Sequence, residues 1–309
     1  MSAPKDFLSL ADWPAEELRA ILARAHELKR LHRRGEATQT LQGRTLAMYF
    51  EKPSLRTHVT FEAGMTQLGG HAIVLRPEQV GIGTRESPQD VARNLSRWVH
   101  GILARTFDHA LVEELARAAD IPVINGLTDL LHPCQAMADL QTVTERADLE
   151  KVVIAYVGDG NNVANSLWNA IAVLGGTLRL ATPATHQPSL TVRRRAEERA
   201  RHSGARISWS ADPVEAVRGA DFVYTDVWTS MGQENEAERR RALFEPFQLN
   251  ARLLGHAPEA FVMHCLPAHR GEEISDDVLD GPRSIVLDQA ENRLHAQKAI
   301  LERLLAASR

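Results

Sequence analysis

Two hydrophobic periods alternate along the 309-residue chain. Short runs rich in Val, Ile, Leu and aromatic residues give way to stretches in which apolar residues recur every three or four positions, the pattern of parallel sheets covered by helices. The predicted class is therefore α/β. Leu18, Ile21, Leu22, Ala25 and Leu28 fall on one face of an opening helix, whose start is marked by Asp12 and Pro14. Strands are expected at 45–50, 72–75, 101–105 and 122–124, with helices near 61–68, 88–98 and 111–118 between them. Ser87, Pro88 and Asp90 give the second of these helices a hydroxyl cap, a first-turn proline and an acid. The loop before it, 81–86, is glycine-rich.

After a helical stretch at 135–146 the pattern restarts, with strands expected at 152–157, 177–181, 205–209, 222–225, 261–264 and 285–287. Two domains follow, 1–150 and 151–289, each a mainly parallel sheet flanked by helices, with an active site expected in the cleft they share. A terminal helix over about 292–307, within the segment 290–309, is expected to rejoin the first domain.

Composition narrows the function. Lys and Arg total 36 against 40 Asp and Glu, a formal charge of -4, so nothing in the overall balance recruits nucleic acid or an anionic membrane. No apolar run approaches the ~20 residues that span a bilayer. Two cysteines, Cys134 and Cys265, are too few for a disulfide framework and point to reduced thiols in cytosol. The start of the chain, with Asp6 and Asp12, is unlike a signal or transit peptide and reads as the start of a cytoplasmic protein.

The first chemical signal is Phe50-Glu51-Lys52-Pro53-Ser54-Leu55-Arg56-Thr57. It follows a strand and opens a helix, so backbone N–H groups, two hydroxyls and a guanidinium converge where the helix dipole favours an anion. A capped helix with a solvent-facing Arg would read the same way locally. Arg105 at the end of one strand, and His132-Pro133-Cys134-Gln135 after another, make the anion site the better reading. Loops at the carboxyl ends of parallel strands meet over one crevice.

Ser-x-Arg-Thr, the strand-end Arg and His-Pro-Cys-Gln, in this order, resemble the carbamoyl-phosphate site of the aspartate and ornithine carbamoyltransferase family, nearly end to end. The resemblance implies that Ser54, Leu55, Arg56 and Thr57 hold the phosphate, and that Arg105, His132 and Gln135 hold the carbamoyl end. Arg293, in Glu291-Asn292-Arg293, matches a further ligand from the last helix. The family works without a cofactor or metal, so none is expected.

Gly158-Asp159-Gly160-Asn161-Asn162-Val163 also follows a strand, but Val163 stands at the third glycine position of a dinucleotide fingerprint, which weakens a nicotinamide reading. By resemblance Asn162 instead matches an amino-acid-binding Asn. Asp226-Val227-Trp228-Thr229-Ser230-Met231-Gly232 looks like the ornithine-binding Asp-x-x-x-Ser-Met-Gly loop, in which Asp226, Ser230 and Met231 contact the amino acid. His264-Cys265-Leu266-Pro267 resembles the segment of the ornithine branch, where the aspartate branch has a Pro-Leu-Pro-Arg version. Cys265 is then an active-site thiol and the Leu266 carbonyl faces the carbamoyl NH₂.

The implied reaction is attack of the ornithine side-chain amine on carbamoyl phosphate, giving citrulline and phosphate in arginine metabolism. The amine should resemble lysine, with a pKa near ~10.4, so on the order of one molecule in a thousand is a free nucleophile at neutral pH. Rivals are a carbamoyltransferase for putrescine or N-acetylornithine, and a non-catalytic family member. His58 departs from the Arg that usually follows Ser-x-Arg-Thr, and is expected to weaken carbamoyl-phosphate binding above the histidine pKa. Gly81 stands where many relatives have a Gln that touches carbamoyl phosphate; Thr84 or Arg85 of a neighbouring subunit is the expected substitute, within the family's homotrimer.

Overall fold

The computed structural model describes residues 4–229, 232 and 234–306. The chain divides into two compact units, one formed by 1–141 with 292–309 and the other by 142–291.

In the first unit, helix α1 (Ala15–Arg33) precedes a parallel sheet of β1 (Thr45–Phe50), β2 (His71–Leu75), β3 (Gly101–Arg105) and β4 (Val123–Leu127), in the order β2-β1-β3-β4. Helices α2 (Leu55–Gln67), α3 (Pro77–Val80), α4 (Pro88–Trp98), α5 (His109–Ala118) and α6 (Pro133–Thr144) connect and follow these strands. β3 and β4 are buried along their whole length, as strands covered on both faces must be. Val91, Ala92 and Leu95 from α4 and Val112 and Leu115 from α5 pack on Ala47, Ile102 and Val123.

The second unit carries β5 (Val153–Val157), β6 (Thr177–Ala181), β7 (Arg206–Ser210), β8 (Phe222–Thr225) and β9 (Phe261–His264), all parallel in the order β7-β6-β5-β8-β9. Its helices are α7 (Asn162–Leu174), α8 (Leu190–Ser203), α9 (Pro213–Val217), α10 (Ala237–Phe244), α11 (Ala251–Leu254) and α12 (Asp276–Leu279), before the last helix, α13 (Val286–Leu305). The chain order reverses beside β5, where the connections to β6 and β8 leave in opposite directions. Such a switch point opens a crevice at the strands' carboxyl ends.

One expected strand is absent: 285–287 does not extend the second sheet. Ser284 makes a single bridge to Val262 and α13 begins at Val286. Ile285 and Val286 are buried, while Leu287 is 76% exposed. A three-residue apolar run carries no period, so strand and helix start read alike.

No helix among the described residues is long and apolar enough to cross a membrane.

Candidate active site

The candidate anion-binding residues of the first unit lie where β1, β3 and β4 end. Ser54 is extended and caps α2, its Oγ accepting from Thr57 N at 3.1 Å. Leu55 begins the helix with its side chain 75% exposed, so any role in binding belongs to its backbone N–H. The register of β3 against β4 slips between Ala104 and Arg105, and such irregularities re-aim a strand-end side chain. Arg105 is buried; its Nε donates to the Lys52 carbonyl at 3.3 Å and its Nη1 to Thr57 Oγ1 at 3.4 Å.

Thr57 is a junction, because its fully buried hydroxyl also accepts from Arg293 Nη2 at 3.0 Å. Arg293 Nη1 donates to Gln135 Oε1 at 2.6 Å, and Gln135 Nε2 donates to Asp139 Oδ1 at 2.8 Å. Gln297, one turn beyond Arg293 on α13, accepts from its Nη2 at 2.7 Å and Nε at 3.0 Å and donates to Thr60 Oγ1 at 2.5 Å. Sequence reading missed Gln297, although its spacing of four from Arg293 on one helix was a usable signal.

His132 precedes α6, which opens on Pro133, and its carbonyl accepts from Gln135 N at 3.1 Å. Burial, followed by the charges of Arg293, Arg105 and Arg56, holds its imidazole well below the usual histidine range. It is therefore a neutral group in a positive field. Cys134, next to it, is fully buried and burial pushes its thiol up to about 12, an inert packing residue.

The two departures from the family pattern have local explanations. His58 Nε2 lies 3.0 Å from Glu62 one turn along α2, with its ring 5.4 Å from that of Phe50. Gly81 ends α3 at φ 66°, and a Cβ there would meet Arg85 Cβ at 2.7 Å. A Gln at this position would strain the backbone as it runs here.

In the second unit the carboxyl ends of β5, β8 and β9 gather the other candidates. Asp226 is buried just beyond β8; its Oδ2 accepts from Asn161 Nδ2 at 2.7 Å and its Oδ1 from Cys265 Sγ at 2.8 Å. Asn161 is the cap of α7, its Oδ1 accepting from Val163 N at 2.9 Å and Ala164 N at 3.2 Å. The neighbouring Asn162, which the sequence pointed to, is the first residue of α7. Asn161, which the sequence reading did not single out, donates to Asp226. Ser230 and Met231 lie outside the described residues.

Cys265 and Leu266 follow β9 in a turn fixed from below. His264 and Glu273 have fully buried side chains, with His264 Nε2 3.0 Å from Glu273 Oε1. His264 Nδ1 accepts from Leu266 N at 2.8 Å, which places the ring proton on Nε2, facing Glu273. Leu266 is left-handed at φ 57°, with its N–H engaged by that hydrogen bond. A Cβ on Gly160 would lie 2.4 Å from the backbone at Gln187, so close packing against the loop after β6 accounts for this glycine without a nucleotide.

A parallel α/β unit in which three guanidiniums act on one buried imidazole, and a second with a carboxylate, an amide and a thiol at its strand ends, are the candidate elements of a two-substrate group-transfer site. The chain belongs to the aspartate/ornithine carbamoyltransferase family. The family's carbamoyl-P binding domain matches residues 5–145 and its Asp/Orn binding domain residues 150–304. The chain is 52% identical over 301 residues to the ornithine carbamoyltransferase of Thermococcus kodakarensis, covering 97% of this chain and 96% of that one. It is similarly 52% identical to the anabolic ornithine carbamoyltransferase of Pyrococcus furiosus, over 97% of this chain and 96% of the relative. Its fold matches the solved ornithine carbamoyltransferase of Pyrococcus furiosus with a TM-score of 0.96 at 50% identity, covering 99% of each chain. The structure of the enzyme from Giardia lamblia matches with a TM-score of 0.89 at 32% identity, again over 99% of each chain.

Proposed function

We propose that the chain transfers the carbamoyl group of carbamoyl phosphate to the side-chain amine of L-ornithine, giving L-citrulline and phosphate, in arginine biosynthesis. The observation that carries this reading is the gathering of Arg56, Arg105 and Arg293 around a neutral His132 at two helix starts. In this reading Ser54, Leu55, Arg56 and Thr57 hold the phosphate. Arg105, His132 and Gln135 hold the carbamoyl end, and Arg293 braces Thr57 and Gln135.

The neutral amine attacks the carbonyl carbon, and the resulting tetrahedral species expels phosphate. A buried neutral imidazole and a fixed guanidinium, His132 and Arg105, stabilise the oxygen as it gains charge, an effect commonly worth ~10²–10³ in rate per donor. Arg56 and Arg105 neutralise the departing phosphate. For the amino acid, Asp226 supplies negative charge for the α-ammonium, with Asn162, Ser230 and Met231 as further contacts. Cys265, hydrogen-bonded to Asp226, is placed to accept or relay the proton that the amine must lose. The Leu266 carbonyl, turned by the bond from its own N–H to His264, faces the carbamoyl NH₂.

A cytoplasmic homotrimer is part of the same reading, drawn from the family resemblance, and sedimentation of the purified protein tests it. Incubation with carbamoyl phosphate and, separately, ornithine, N-acetylornithine, putrescine and aspartate tests the reaction. Citrulline with ornithine alone is the expected result. Product only with another amine overturns the acceptor, and no product with any amine favours a non-catalytic member.

A further inference from the structure

We infer that Asp159 and Arg240 are positioning residues of the amino-acid subsite: their buried ion pair clamps the chain at Trp228 and thereby sets the carboxylate of Asp226. The inference rests on the assignment of Asp226 to ornithine made above.

Asp159 lies two positions beyond β5, and Arg240 sits in the middle of α10. Arg240 Nη2 donates to Asp159 Oδ2 at 2.5 Å, while its Nε donates to the Trp228 carbonyl at 2.5 Å. One guanidinium thus joins the end of β5, the segment after β8 and α10. The side chains are 5% and 10% exposed, so water competes weakly for either bond. A planar fork can serve both acceptors at once; a single ammonium cannot reach them with the same geometry.

Aromatic packing closes the other side. The guanidinium carbon of Arg240 is 5.1 Å from the centre of the Phe244 ring, and Phe244 stacks on Trp228 with ring centres 6.0 Å apart. Trp228 itself is buried. It stands two residues after Asp226, whose oxygens are engaged by Asn161 and Cys265. A shift of the Trp228 carbonyl therefore reaches the Asp226 carboxylate through two residues of backbone, and would loosen contacts that the amino-acid substrate needs.

The charge balance makes the clamp sensitive to protonation. Burial, with repulsion from Asp226 added and the attraction of Arg240 opposing, pushes the Asp159 carboxyl up to about 7. Around the pair stand Asp226 after β8, Glu236 with Oε2 3.7 Å from Arg240 Nη1, and His186 in the loop after β6, on which the charges of Arg240, Glu236 and Arg239 act. Above about 7 Asp159 is ionised and Arg240 has its anionic partner. As pH falls through that value the anion is lost, and the fork keeps only a neutral acceptor.

Steady-state kinetics on both sides of neutrality, with calorimetric titration of carbamoyl phosphate, test this on the full chain. Asp159→Asn is expected to raise KM for ornithine by roughly tenfold or more, the size of one lost charge-assisted hydrogen bond. It should leave carbamoyl-phosphate affinity and kcat within about threefold of the parent, and abolish a rise in KM that the parent shows on the acid side of neutrality. Arg240→Lys keeps the charge without the fork and should behave alike; the two changes combined should cost little more than either. An unmoved KM, a parallel loss of carbamoyl-phosphate affinity, or full function in Arg240→Lys overturns the clamp. Asp226→Asn separates the two readings: if it leaves KM for ornithine unchanged, the subsite assignment itself fails. If it raises KM while Asp159→Asn does not, only the clamp fails.

Discussion

Arg293 and Gln135, 158 positions apart in sequence, meet at 2.6 Å in the buried interior of the first unit. Arg293 also holds Thr57 and is held by Gln297, so one guanidinium braces two elements that carry ligand groups. Both contacts use the planar fork, which an ammonium cannot reproduce. Arg293→Lys should therefore weaken carbamoyl-phosphate binding by ~10–10²-fold, read by titration calorimetry. Unchanged affinity would remove Arg293 from the site.

His132 should act without titrating. Burial and three guanidiniums keep its imidazole neutral throughout the neutral range. His132→Asn is expected to lower kcat by ~10²–10³ while the shape of the pH–rate profile stays that of the parent. If the variant instead lost an acid limb, the parent's imidazole would have to be the group that protonates there.

Cys265 carries the opposite expectation. Its thiol reaches Asp226 at 2.8 Å, in position to pass on the amine's proton. Cys265→Ser should reduce kcat about 10²-fold and change the slope of the alkaline-going rise in rate. A profile of parental shape and height would exclude the thiol from proton transfer.

Glu273 anchors the turn beneath that thiol. Besides His264, it accepts from His269 N at 2.6 Å, so Glu273→Ala strands one donor in a fully buried position and a second in a partly buried one. Thermal unfolding should register a loss of ~3 kcal/mol, with Glu273→Gln losing less. Equal melting of parent and Ala variant would be the contrary result.

Local signals carried most of this fold. The helix at Pro88–Trp98 was legible from its hydroxyl cap, proline and acid, and the strands at Thr177–Ala181, Phe222–Thr225 and Phe261–His264 from β-branched and aromatic runs between turns. The proposed anion site was readable as a candidate because Ser54, Arg56, Arg105 and His132 each sit at an element end that the pattern marks. What stayed hidden depends on contacts far apart in sequence. Arg240 looks like one cation in an Arg- and Glu-rich helix, and only its approach to Asp159, 81 positions earlier, separates it from a solvated face. Asn161 was not singled out because a cap and a first helical residue of the same type read alike; its contact with Asp226 depends on the cap geometry of α7. The strand expected at 285–287 failed because one bridge to Val262 is all the pairing that segment makes before its helix begins.

The field around His132 has a thermodynamic counterpart. Folding the first unit brings the charges of Arg56, Arg105 and Arg293 to bear on one buried point, a repulsive arrangement that an anion relieves. Occupancy of the pocket and resistance to unfolding are then two readings of one equilibrium. A ligand at about 100 times its Kd adds ~2.7 kcal/mol to the folded state. Inorganic phosphate, the leaving product of the proposed transfer, should therefore raise the protein's resistance to unfolding, so that what the enzyme releases would also help hold it folded.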